Sequence, residues 1–144
     1  MKKRIAVILS ALLLIGVLLE LYLPMITPKK FFKTDNDDGI KSVSVFCGAT
    51  GERFEVTEAD EVDGIISLIG KERLYRSTLF PIHEDGFAYS VTFINEKGER
   101  EEYLRIKCDF IDANGYQYKR RGEDGYSLPI YEFLAELEAK YILK

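Results

Sequence analysis

Few residues in this chain of 144 have the type and spacing that do chemistry. His83 is the one histidine, in the turn-like stretch Pro81-Ile82-His83-Glu84-Asp85-Gly86. With no second ligand or nucleophile beside it, it reads as a surface residue rather than a general base. Carboxylates come in runs such as Glu58, Asp60, Glu61 and Asp63. There they suit a helix start and solvent, and their spacing does not support a glycosidase pair. Serine-nucleophile, P-loop, zincin and dinucleotide-binding motifs are absent. The chain is therefore read as no enzyme, with no catalytic residue, no metal and no cofactor. Thr34-Asp35-Asn36-Asp37-Asp38-Gly39 looks at first like a calcium loop. An EF-hand needs glycine at loop position six and a bidentate Glu at twelve, and counting from Asp35 those places hold Ile40 and Phe46. The segment reads as a solvated acidic linker.

Cys47 and Cys108 are the two cysteines. Alternation puts Cys47 on the face of Val43 and Val45, and Cys108 on that of Leu104, Ile106 and Phe110. Both should point into a core, and two readings stand. One is a disulfide, which would stabilise by about 3–5 kcal/mol for so long a loop. The other is a pair of reduced thiols packed as small hydrophobes. A structural zinc would need two more ligands, and His83 is the one histidine available.

The charge of −4 is a sum of unlike parts. Residues 1–30 carry five bases against Glu20, a net of +4, which leaves 15 bases, 23 acids and −8 for the rest. Residues 5–26 form an apolar run interrupted at Glu20. At helical rise it spans about 33 Å, enough to cross a bilayer core. The run ends Glu20-Leu21-Tyr22-Leu23-Pro24-Met25, without an A-x-A-like cleavage site, and no cysteine follows closely enough to accept a lipid. An uncleaved, single-pass signal anchor is expected, with residues 1–4 as cytoplasmic tail and 27–39 as linker. Lys2, Lys3, Arg4 and the terminal amine stand against Lys29, Lys30 and Lys33, which favours the domain outside the cell membrane by a narrow margin. Glu20 falls near the outer headgroups, where it can snorkel. Tyr22 and Phe31-Phe32 fit an aromatic belt, and Lys29-Lys30 fit headgroup contact.

Residues 40–144 carry the patterns of one domain. Ile40 to Cys47 alternates, Gly48 to Gly51 turns, and Phe54 and Val56 return. Thr57-Glu58-Ala59-Asp60 resembles a capping box ahead of a helical stripe of Val62, Ile65, Ile66 and Ile69, closed by Gly70. Arg73 to Phe80 is a poorly patterned strand. Phe87, Tyr89, Val91 and Phe93 share one face, and Leu104, Ile106, Cys108 and Phe110 share another. Asn114-Gly115 predicts a hairpin into Tyr116–Lys119. After the Gly122–Gly125 turn, Ser127 and Pro129 open a last helix with a stripe of Ile130, Phe133, Leu134, Leu137 and Tyr141. The fold class is α+β: an antiparallel meander of four to five strands with both helices on one face.

The Thr57–Gly70 helix, the strand Phe87-Ala88-Tyr89-Ser90-Val91-Thr92-Phe93 with Asn95-Glu96-Lys97-Gly98, the Asp112-Ala113-Asn114-Gly115-Tyr116-Gln117-Tyr118 hairpin and the terminal helix resemble uncharacterised small membrane-tethered extracytoplasmic domains of Gram-positive bacteria. The resemblance implies a location and a shape, and carries no catalytic residue. Alternation also implies an open sheet face with Ser42, Ser44, Ser90, Thr92, Tyr103, Arg105, Lys107, Gln117 and Lys119. Of these, Tyr103, Arg105, Lys107, Gln117 and Lys119 are the candidate partner surface. Lys119-Arg120-Arg121 is a solvated strand end, or a contact for anionic lipid or wall polymer. A net of −8 argues against nucleic acid. The expectation is a membrane-anchored interaction module with a protein partner in the membrane or envelope. The alternative is a small ligand-binding or sensing domain that uses loop 79–86 and Tyr116–Tyr118.

Overall fold

The structure, a computed structural model, describes residues 1–32, 39–82, 86–122 and 125–143. Lys33 and the linker acids, His83 with Glu84-Asp85, and Glu123-Asp124 lie outside the described residues. The first element, α1 (Lys2–Ile26), is long and apolar enough to span a membrane, and no residue of its apolar window is buried.

The remaining elements are β1 (Ile40–Cys47), β2 (Arg53–Val56), α2 (Ala59–Lys71), β3 (Tyr75–Arg76), β4 (Tyr89–Asn95), β5 (Arg100–Ile106), β6 (Phe110–Ala113), β7 (Tyr116–Lys119) and α3 (Pro129–Tyr141). The class is α+β, with seven strands in one antiparallel sheet in the order β2-β1-β4-β5-β6-β7-β3. Four to five strands were expected, and two features raise the count. Lys107 N–H donates to the Phe110 carbonyl, closing a tight turn at Cys108-Asp109 that splits the expected return strand into β5 and β6. Within the poorly patterned stretch Arg73–Phe80, Tyr75-Arg76 does pair, with Lys119-Tyr118, to make the short edge strand β3. Ala113 opposes Tyr116 across Asn114 (φ 53) and Gly115 (φ 81). This is the two-residue, positive-φ hairpin expected of Asn-Gly.

The core joins Val43, Val45, Cys47, Tyr89, Val91, Phe93, Leu104 and Ile106 of the sheet to the expected stripe of α2 and to Ile130, Leu134 and Leu137 of α3. Tyr141 stacks on Phe54 with ring centroids 5.5 Å apart, and Tyr89 bonds Glu138. The helix starts differ from expectation. Glu58 and Leu128 hold the N-cap positions, and no side chain caps either helix. Asp60 and Glu61 in the first turn of α2 complement its dipole instead of a Thr57 hydroxyl, and Pro129 starts α3 with its preset φ. After β1, glycine at 48 is a steric requirement, since a Cβ there would lie 2.2 Å from the Phe87 carbonyl oxygen.

The end of α1 is fastened to this domain. Near Pro24, which cannot donate to the helix ladder, Arg76 donates to the Leu21 carbonyl. Arg121 donates to the Met25 carbonyl at 2.5 Å, and Lys29 N–H to the Leu74 carbonyl at 2.8 Å. Phe31 is 7% exposed and packs edge-on against Tyr118, while Phe32 packs edge-on against Phe93. Both were expected in a membrane belt. Phe31 belongs to the core of the domain and Phe32, partly buried, packs against it, so the domain's packing begins well before residue 40.

Candidate functional site

Strand register sorts side chains between two faces. Pairing Ser44 with Thr92, Thr92 with Tyr103, Arg105 with Asp112 and Asp112 with Gln117 puts these residues on the face opposite Val43, Val91 and Leu104. The expected surface residues Tyr103, Arg105, Gln117 and Lys119 thus do share a face, with Lys107 following β5. They are not equally available. Tyr103 is 51% exposed, whereas Gln117 is buried, its Nε2 without a partner among the described residues. Arg105 Nη2 lies 2.6 Å from Asp112 Oδ2, whose other oxygen accepts the Gly115 N–H. This half-buried pair braces the β6–β7 hairpin as much as it decorates the surface. Ser42, Ser90 and Thr92, expected to be displayed, are buried beneath longer neighbours.

Phe110 stands at the centre of one cationic cluster. The Lys107 and Lys119 ammonium groups lie 5.0 and 5.1 Å from its ring centroid, within range of a cation–π attraction. Phe110 was expected on the core face. The turn at Cys108-Asp109 resets the alternation, so β6 puts Phe110 and Asp112 on the open side and Ile111 in the core.

A second cluster was not foreseen. Ser90 and Thr92 floor a depression of about 190 Å³ walled by Phe46, Phe87 and Tyr103, with Arg53 and Arg100 at its rim. Arg53 Nη1 donates to Ser44 Oγ at 3.2 Å, and its guanidinium lies over Phe46. Neither Arg53 nor Arg100 has an acidic partner among the described residues. Phe87 was expected to share Tyr89's core face, but it precedes β4 and packs by Phe46. Parity in β2 already puts Arg53 on the face opposite Phe54 and Val56. Arg100 has the parity of core-facing Leu104 and reaches this face only through the irregularity between Phe93 and Ile94 in the β4–β5 pairing. The proximity of both to Tyr103 needs the order β2-β1-β4-β5.

The face is therefore basic on an acidic molecule. Among the described residues, Arg53, Arg100, Arg105, Lys107 and Lys119 outnumber Glu55, Asp109 and Asp112, with Lys119 Nζ 3.7 Å from Asp109 Oδ2, while Asp60, Glu61, Glu132, Glu136 and Glu138 lie on α2 and α3. Such an arrangement makes the local potential on this face more positive than the net charge of the molecule suggests. On the helical side the acids are partly used in packing. Glu61 accepts from both Lys140 and the Tyr141 hydroxyl. That bond, above burial, raises the Tyr141 phenol, and it also raises Lys140.

The cysteines separate. Cys47 is buried and Cys108 exposed in the β5–β6 turn, both as free thiols. The shared core face expected of them fails for Cys108, because the strand stops at Ile106. Among the described residues no three His, Cys, Asp or Glu side chains gather as a metal site. Arg120 of the basic run forks onto Glu72, both bonds 2.7 Å, rather than standing free in solvent. In comparisons with known proteins, no family model, curated protein or solved structure matches this chain.

Proposed function

We propose that the protein is a non-catalytic, membrane-anchored interaction module whose α+β domain lies outside the cell membrane and receives an acidic protein surface on its open sheet face. In this reading α1 is an uncleaved anchor, α2 and α3 pack together on the core face, and the opposite face is the docking platform. The observation that carries it is the segregation of charge: five cations, two of them ion-paired, with an exposed Tyr103 and a largely buried Phe110 on one side of a domain of net −8. Aromatic and arginine side chains are the residue types that anchor protein interfaces. The resemblance to small tethered extracytoplasmic domains agrees with this placement.

A photo-crosslinking residue at position 103 of the full-length protein, activated in the membranes of its own cells, tests the proposal. One reproducible protein adduct is expected, and Arg53→Glu with Arg100→Glu should diminish it at least tenfold. No adduct, or an adduct indifferent to both reversals, would overturn the reading. The small depression between Phe46, Phe87 and Tyr103 supports a second reading, a sensor of small anions. In that case carboxylate or phosphate compounds should raise the melting temperature of the protein, and the reversals should abolish the rise.

A further inference from the structure

A groove of about 460 Å³ lies where α1 meets the domain, between the last turn of the helix at Leu23 and Pro24 and the ring faces of Tyr116 and Tyr118. Among the described residues three cations line it, Lys29, Lys30 and Arg76, and no acid does. Arg76 is the telling member. It is 8% exposed, its guanidinium sits 4.6 Å over the Tyr116 ring, and Nη2 is spent on the Leu21 carbonyl. Its Nε has no partner and no carboxylate pairs with it among the described residues. A guanidinium taken from water without an opposite charge is unfavourable. The carbonyl end of α1 and the ring offset only part of that. A net cationic pocket with aromatic walls is built to receive an anion.

Its position says which anion. Leu23 and Pro24 are the last turn of the apolar helix, so in a bilayer the groove sits at headgroup depth. Lys29 and Lys30 are exposed at its mouth, and Lys29 Nζ lies 5.9 Å from the Tyr118 ring centroid. We infer that this groove binds the phosphate of an anionic phospholipid headgroup, with Lys29 and Lys30 in contact with it and Arg76 supplying positive potential from beneath. The inference rests on the membrane-spanning reading of α1. Bound there, one lipid would touch both helix and domain and fix their mutual orientation.

Full-length protein in non-ionic detergent, titrated with phosphatidylglycerol, phosphatidylcholine or inorganic phosphate and followed by native mass spectrometry, tests this. Phosphatidylglycerol should be retained one-to-one and in preference to phosphatidylcholine. Lys29→Gln with Lys30→Gln, both exposed and so without effect on folding, should weaken it about 30-fold, since each basic residue near an anionic surface is worth roughly fivefold. Inorganic phosphate that displaces the lipid at equal concentration would keep the phosphate site and identify its source as a free anion. Equal retention of the two lipids, or wild-type affinity in the double variant, would overturn the inference. Release of the protein from native membranes by alkaline carbonate would separately sink the spanning reading, whatever the titration shows.

Discussion

Tyr89 shows how one side chain can tie sheet to helix and write a pH dependence into the fold. Its ring is buried in the core and its hydroxyl donates to Glu138 Oε2 at 2.7 Å. Burial first, then the bond to a carboxylate, push the phenol well above its usual value of 10.0. A phenol raised in the folded state favours folding while both states are protonated, that is, below about pH 10. The contribution is lost as pH climbs past the unfolded value toward the folded one. The melting temperature should therefore hold from pH 7 to 9 and fall above pH 10. Tyr89→Phe should cost about 1–2 kcal/mol at pH 7, the net worth of a bond to a charged acceptor that stays half-exposed afterwards. It should also flatten the alkaline fall. Tyr118, raised by burial, and Tyr141, raised by Glu61, shift the same way and keep part of the slope. Parallel alkaline melting of the two proteins would show that Tyr89 is not its source.

Segment 27–32 behaves as part of the domain, although its composition reads as a tether. Phe31 and Phe32 each close an edge-on aromatic pair, with Tyr118 and Phe93. Burying a Phe ring is worth about 1.5–3 kcal/mol, with an aromatic pair adding about 1 kcal/mol. A soluble fragment of residues 40–144 should accordingly melt about 10 °C or more below one of residues 28–144. Equal melting of the two would show that the segment adds nothing. The stripe Val62-Ile65-Ile66-Ile69 and the alternation Val43-Val45-Cys47 could be read from the chain because each records a single element's own period. Phe31 could not, because two adjacent aromatics after an apolar run have the same composition in a belt or a core. Phe110 misled for another reason: Leu104-Ile106-Cys108-Phe110 keeps its alternation straight through a tight turn, and only the Lys107–Phe110 bond reveals the break. The polar face followed from parity within each strand. Its basic cluster did not, because Arg53, Thr92 and Arg100 become neighbours only through pairings between distant segments.

Taken whole, the molecule is an apolar helix joined without slack to a domain of opposite net charge, +4 in residues 1–30 against −8 beyond. The helix end is held by Arg76, Arg121 and the Lys29 amide, so, with α1 long and apolar enough to span a membrane, a spanning helix would carry the domain's placement with it. Which side it occupies matters for every partner it can meet. The basic residues flanking the span are nearly balanced, four positive groups before it and Lys29, Lys30 and Lys33 after it, and so small an excess orients a helix weakly. The structure supplies a native reporter. Cys108 is exposed and Cys47 is buried, so a maleimide that does not cross membranes should modify one thiol per folded chain and no more. With the domain outside, intact cells should label to the same extent as permeabilised cells, and Cys108→Ser should erase the signal while Cys47→Ser leaves it. Labelling that requires permeabilisation would put the domain inside and send the search for an acidic partner to the cytoplasm. A disulfide formed between chains through Cys108 would mask it in both preparations, and prior reduction, which restores the label, separates that case from an inward-facing domain.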